Sequence, residues 1–216
     1  MAIARLERTL ARDAEPSAAL LRQLTRSWGN EAWSASAQFL TVMLQCMPQT
    51  TGPIVECGSG LSTLLLAAAA AASGRIVISL EHDPNWAART LQAVPKHLQP
   101  HATVSVTPLR RYDGFDWYGI EPASIPSPVG FVVCDGPPGS TRGGRYGLGP
   151  LLGARLAEGC IVLLDDTQRP GEHRIIERWC DELGASIIRE TSTCTAIRVG
   201  QRTSFQQNVS PAQSTK

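Results

Sequence analysis

Five carboxylates stand where an apolar run stops: Glu56 after Ile54-Val55, Glu81 after residues 76–80, Asp135 after residues 129–134, and the pair Asp165-Asp166 after residues 160–164. Like charges brought together raise one another's proton affinity and oppose folding, so such a set is tolerated chiefly when a cation resides in it. Oxygen ligands of this hardness suit magnesium, calcium or manganese, and no His/Cys spacing of the zinc kind accompanies them. Glu56 opens Glu56-Cys-Gly58-Ser-Gly60, a turn whose glycines let backbone approach a ligand closely ahead of a helix N-terminus. A carboxylate at that mouth suits a cationic or amine-bearing ligand. Glu81 lies about twenty residues beyond the turn, where an acid can accept from the two hydroxyls of a ribose; the alternative is a plain acid ahead of a helix starting at Pro84. Arg142 and Arg145 lie in a glycine-rich stretch and could clamp an acidic acceptor such as a uronate or phosphate, unless they are simply solvated.

These groups need elements to position them. Ile54-Val55 is a strand core, and the Leu- and Ala-rich residues from Leu61 form the helix that follows the glycine turn. Residues 75–81 and 129–135 read as strands buried on both faces, 102–106 as a strand between them, and 159–166 as a fifth. Helices are expected over 84–98, with Trp86, Leu91, Val94 and Leu98 inward, over 148–156 and over 172–183. The strands 185–189 and 196–199 suggest a hairpin. Residues 108–128 read as an irregular loop and 139–149 as a mobile one. Upstream, Ile3, Leu6, Leu10, Leu20, Leu21 and Leu24 make one or two amphipathic helices, and Ser36 caps another that Pro48 stops. Trp28 and Trp33 either line a substrate mouth or pack. Alternating strands and helices build an open parallel sheet, and its carboxyl edge, where ligands bind, gathers all five acids.

A length of 216 residues implies one domain with its own core. The parts are a helical cap over 1–50, the main domain over 51–200 and a polar, disordered tail over 201–216. Lys plus Arg number 20 against 19 acids without a basic run, which argues against nucleic acid and against an anionic membrane as partners. Residues 67–72 are apolar, but the stretch from Leu61 ends too soon to span a bilayer. The N-terminus lacks the apolar segment of a secretory signal, and six cysteines without a CxxC pair fit a reduced, cytoplasmic setting.

The spacing Glu56-x-Gly58-x-Gly60 resembles the first motif of class I S-adenosylmethionine-dependent methyltransferases. Asp135 with Asp165-Asp166 resembles the metal-ligand positions of the magnesium-dependent O-methyltransferases of the catechol and macrolide-sugar types. Val55-Glu-Cys-Gly-Ser-Gly-Leu-Ser-Thr63, Ser79-Leu-Glu-His-Asp-Pro84, Asp135-Gly-Pro-Pro138 and Leu164-Asp-Asp166 together resemble a broad methyltransferase group, over about residues 34–199. The resemblance implies an α/β, Rossmann-like, seven-stranded, mostly parallel sheet with helices on both faces and a C-terminal antiparallel hairpin. It places S-adenosylmethionine on Glu56, Gly58, Ser59, Gly60, Ser62, Glu81, His82 and Asp135. A divalent metal, magnesium or manganese, would sit on Asp135, Asp165 and Asp166, with Asp135 or Asp166 as base. The acceptor would be a small molecule with a sugar or vicinal-diol hydroxyl. The prolines after Asp135 depart from sugar-modifying relatives, which often carry a histidine there. A nicotinamide-dependent oxidoreductase would want a third glycine where Thr63 stands, and a non-catalytic nucleotide-binding module is the remaining alternative.

Overall fold

The computed structural model describes residues 2–30 and 35–200. The expectations for Trp33 and for the tail 201–216 lie outside these residues. Strands β1 (Ile54–Cys57), β2 (Val77–Glu81), β3 (Ala102–Val106), β6 (Val129–Cys134), β7 (Leu156–Asp165), β8 (Ser186–Glu190) and β9 (Cys194–Arg198) form one sheet in the order β3-β2-β1-β6-β7-β9-β8. The pairs from β3 through β7 are parallel, and β9 pairs antiparallel with both β7 and β8. This is the expected Rossmann-like sheet with its terminal hairpin.

Successive side chains on a strand point to opposite faces, and here both faces are apolar. Ile54, Phe131, Val133, Ile161 and Leu163 face the side covered by α1 (Ala2–Leu10), α2 (Ala18–Trp28), α3 (Ala37–Cys46) and α4 (Leu61–Ser73). Val55, Val132, Val162 and Leu164 face α6 (Leu148–Leu152), α7 (Pro170–Glu182) and a small hairpin of β4 (Leu109–Arg111) and β5 (Asp116–Tyr118). The first layer answers what the N-terminal helices lie on: Leu6, Leu21, Leu24 and Met43 join α4 and the sheet in one apolar cluster. No helix among the described residues is long and apolar enough to cross a membrane. The cysteines form no disulfide there and, Cys180 apart, are buried.

Helix starts follow the capping residues. Ser36 Oγ accepts from the Phe39 N–H at 3.1 Å and Asp83 Oδ1 from the Asn85 N–H at 2.8 Å, satisfying backbone donors that a helix start leaves open. Helix α5 (Pro84–Ala93) ends earlier than expected because Pro95 follows, and it turns Ala87 and Thr90 inward while Leu91 stays 41% exposed. The β4–β5 hairpin replaces the expected loop, with Trp117 and Tyr118 fully buried.

Candidate active site

The turn between β1 and α4 is built around one buried carboxylate. Glu56 is 1% exposed, and the β1–β2 register sets it opposite Ser79. Its Oε2 accepts from the Ser79 hydroxyl and, at 2.7 Å, from the Thr63 hydroxyl. Thr63 Oγ1 in turn accepts from the Gly60 N–H at 2.9 Å, so Thr63, standing where a third glycine was sought, ties the start of α4 to Glu56. Glu56 Oε1 is buried with no hydrogen-bond partner. Burial pushes the Glu56 carboxyl up to about 7, against the opposing pull of the Ser62, Ser79 and Thr63 hydroxyls and with a further push from Asp135.

Gly58 is needed for two reasons. Its φ of +86° favours a residue without a Cβ, and an added Cβ would stand 3.2 Å from the Gly136 nitrogen on the neighbouring loop. The turns after β1 and β6 pass that close together. On the other side, Glu81 Oε2 accepts from the backbone N–H and the hydroxyl of Ser59 at 2.9 and 3.0 Å, and Oε1 accepts from the Asp83 N–H at 3.0 Å. His82 is 34% exposed on its side chain, with Nδ1 3.0 Å from Glu81 Oε1. Trp86 Nε1 donates to the Ser59 carbonyl at 2.5 Å, and Trp28 packs edge-on against Trp86 at 6.1 Å. Trp28 thus braces the glycine turn by packing. The structure places Glu56, Gly58, Ser59, Gly60, Ser62, Glu81 and His82 at adjoining ends of β1 and β2.

Asp135, Asp165 and Asp166 follow at the ends of β6 and β7, on the same edge, but they do not face one another across a gap. The guanidinium of Arg145 stands between them. Its Nη2 donates to Asp135 Oδ1 at 3.1 Å, to Asp166 Oδ2 at 2.8 Å and to the Asp135 carbonyl at 3.0 Å, while Nη1 donates to the Asp165 carbonyl at 2.7 Å. Arg169 Nη1 adds a second contact to Asp166 Oδ2 at 2.8 Å. Asp166 adopts a left-handed φ of +61°, which a non-glycine residue accepts only where its surroundings demand it. Among the described residues no group of three or more His, Cys, Asp or Glu side chains is arranged to hold a metal ion. The expected ligand set Asp135, Asp165 and Asp166 therefore does not fit a divalent metal: the three carboxylates are not grouped around a common point, and guanidinium groups already hold an oxygen of Asp135 and of Asp166. Arg145 is neither of the alternatives the sequence left open, an acceptor clamp or a solvated side chain, since it is only 3% exposed and held by the acids of the site. Arg142 is likewise committed, to Asp116 Oδ1 at 2.8 Å and to the carbonyls of Tyr112 and Phe115.

Burial raises the Asp165 carboxyl to about 7, helped by the charge of Asp135. Burial also raises Asp135 to about 6, with Arg145 opposing and Asp166 assisting. Water works against the Asp135 rise, because 28% of that side chain is exposed. For Arg145 burial disfavours charge, but Asp135 and the other acids outweigh it, and its pKa moves up. Sequence reasoning did not find Ser79, Trp86 or Arg169, nor the true place of Arg145. Ser79 had a signal, a hydroxyl interrupting the apolar run 76–80; Arg145 had none, because its partners converge from loops far apart in the chain.

S-adenosylmethionine carries an α-ammonium, a ribose and a cationic sulfur, and the residues present fit it. An unpartnered buried carboxylate oxygen, a glycine turn leading into a helix, and an acid at the end of β2 meet on one edge.

The sequence profile of a family described as "Methyltransferase domain" matches residues 55–167, more than half of the chain. No curated protein matches the chain by sequence. Among solved structures, a Staphylococcus aureus protein assigned as a caffeoyl-CoA O-methyltransferase is similar at a TM-score of 0.61 and 12% identity, over 86% of this chain and 93% of that one. A precorrin-6y C5,15-methyltransferase from Geobacter metallireducens is similar at 0.58 and 12%, over 78% and 90%. An RNA methyltransferase from Salinibacter ruber, solved with S-adenosyl-L-homocysteine, is similar at 0.51 and 14%, over 81% and 99%. That last likeness corrects the expectation drawn from net charge: the same fold is found in an RNA methyltransferase, so the charge balance of this chain does not argue against nucleic acid as a partner. With the profile covering both the glycine turn and the Asp165-Asp166 pair, and with the strand order β3-β2-β1-β6-β7-β9-β8 of the sheet, the chain belongs to the class I S-adenosylmethionine-dependent methyltransferases.

Proposed function

We propose that this methyltransferase acts on an acceptor hydroxyl, with carboxylates of the chain taking the proton. S-adenosylmethionine supplies a methyl group on a cationic sulfur, a leaving group that departs as a neutral thioether. The observation that carries the cofactor half is the Glu56 Oε1 atom, buried and without a partner, which would accept from the α-ammonium. The Gly58–Gly60 backbone lies beside it, and Glu81 and His82 would border the ribose and adenine. Glu81 already holds Ser59 with one oxygen, so it would fix the turn and bind with the capacity that remains.

In the acceptor half the hydroxyl oxygen forms the new bond to the methyl carbon as the carbon–sulfur bond breaks, its electron pair staying on sulfur. The hydroxyl proton passes to a carboxylate of the Asp135–Asp165 pair. A base works best with a pKa near the working pH, and burial moves both groups in that direction. Asp166, the other base named from the sequence, is held by two guanidinium groups and is the poorer acceptor. The acceptor class is a hydroxyl of the sugar or vicinal-diol kind, and the ribose of a nucleic acid falls within it. Labelled methyl transfer to separate small-molecule and RNA pools, with products identified by mass, tests the reading. We expect O-methyl product, reduced about 100-fold or more in Asp135→Asn. Methyl on nitrogen or carbon, or an unaffected variant, would overturn it.

A further inference from the structure

The Asp135–Asp165–Asp166 cluster is a set of hard oxygen donors with a cationic side chain in its middle. Arg145 meets two carboxylates and two carbonyls at 2.7–3.1 Å, on the two terminal nitrogens of a fork suited to such contacts. It is not a surface side chain that has swung inward. The segment carrying it is pinned on both sides, by the Gly144 N–H on the Thr141 carbonyl at 2.8 Å and by Trp179 Nε1 on the Tyr146 carbonyl at 3.1 Å. Charge gives the same answer as geometry. With three carboxylates ionised, Arg145 and Arg169 leave the cluster one net negative charge, which is what a single divalent ion would leave.

We propose that Arg145, seconded by Arg169, is the resident cation of this site, and that it stands in place of a divalent metal, so that removing the guanidinium turns the cluster into a metal site. As a positioning residue, Arg145 holds Asp135 and Asp166 at fixed angles beside the acceptor, the task a bound ion performs in a metal-dependent enzyme. A guanidinium cannot bind the acceptor oxygen as a Lewis acid. The proton therefore has to leave to a carboxylate, in keeping with the base assigned above.

The inference builds on that reading of the acceptor end. Its test needs neither cofactor nor acceptor, so its failure is distinguishable from failure of the transferase mechanism. Manganese binding to the full chain is followed by electron paramagnetic resonance in wild type, Arg145→Gln and Arg145→Gln/Asp166→Asn. Wild type should bind no stoichiometric manganese, Arg145→Gln should bind one ion per chain, and the added Asp166→Asn should weaken that binding by about tenfold or more. If Arg145→Gln does not fold, Arg145→Met, which keeps the length of the side chain without its charge or its donors, gives the second arm and should likewise take up one manganese ion per chain where wild type has none. One manganese per wild-type chain, lost in Asp166→Asn, would overturn the proposal. So would a folded Arg145→Gln, or in its place a folded Arg145→Met, that binds no manganese.

Discussion

Glu56 decides what the cofactor end of the site can hold, because its charge state changes within the physiological range. Its carboxyl sits at about 7, so below that pH a bound ammonium must first displace a proton. Affinity for S-adenosylmethionine should rise as pH increases from about 6 to 7. It should fall again as the ligand's own α-amino group loses its proton near pH 8. Calorimetry in buffers of different ionisation enthalpy should detect proton release at pH 6.5 and little at pH 7.5; no proton release at either pH would separate Glu56 from the ammonium. The acids of the site were legible in the sequence because a carboxylate at the end of an apolar strand is conspicuous. Their partners were not. Arg145 reaches Asp135 and Asp166 from 10 and 21 residues away through a run of turns, a convergence that no spacing rule encodes.

At the scale of elements, the segment 139–149 was legible as irregular, but the glycines taken there as a sign of mobility have a packing role. An added Cβ at Gly147 would collide with the Trp117 ring, and one at Gly143 with the Phe115 Cβ. These glycines permit the segment to pack on the β4–β5 hairpin, which itself escaped detection because its strands are three residues each. Gly147→Ala should therefore destabilise the fold by about 1–3 kcal/mol through overpacking, read as a lowered thermal midpoint. Amides from Tyr146 to Gly149 should exchange slowly without ligand; fast exchange there would restore the mobile-loop interpretation. The parallel strands were legible to within two or three residues at their starts, and the central ones stood out because burial on both faces leaves continuous apolar runs. Helix ends and faces were less so: Pro95 closed α5 early, and the helix turns Ala87 and Thr90 rather than Leu91 inward.

For the whole molecule, raised carboxyl pKa values make pH a stability variable. Glu56 at about 7 and Asp165 at about 7 both bind protons more tightly folded than unfolded. Their contribution is fully present below the unfolded carboxylate value of about 4 and is lost as pH rises towards 7. The thermal midpoint of the cofactor-free protein should decline from pH 5 to 7.5, and cofactor should recover more of it at pH 7.5 than at pH 5.5. An upward trend without ligand would show that other groups dominate. Net charge, in contrast, carried less information than it first offered, because the same fold is found in an RNA methyltransferase.

The central claim is that the orphan oxygen of Glu56 receives the ammonium of S-adenosylmethionine, and titration calorimetry at pH 7.5 on wild type and Glu56→Gln addresses it most directly. The glutamine keeps the shape and can still accept from Ser79 and Thr63, so the fold is preserved while the charge is lost. The account predicts one cofactor per wild-type chain, no comparable binding of NAD, and a loss of about 1.5–3 kcal/mol in the variant, the range for a hydrogen bond to a charged group. Equal affinity in both proteins, or NAD binding in preference to S-adenosylmethionine, would contradict it.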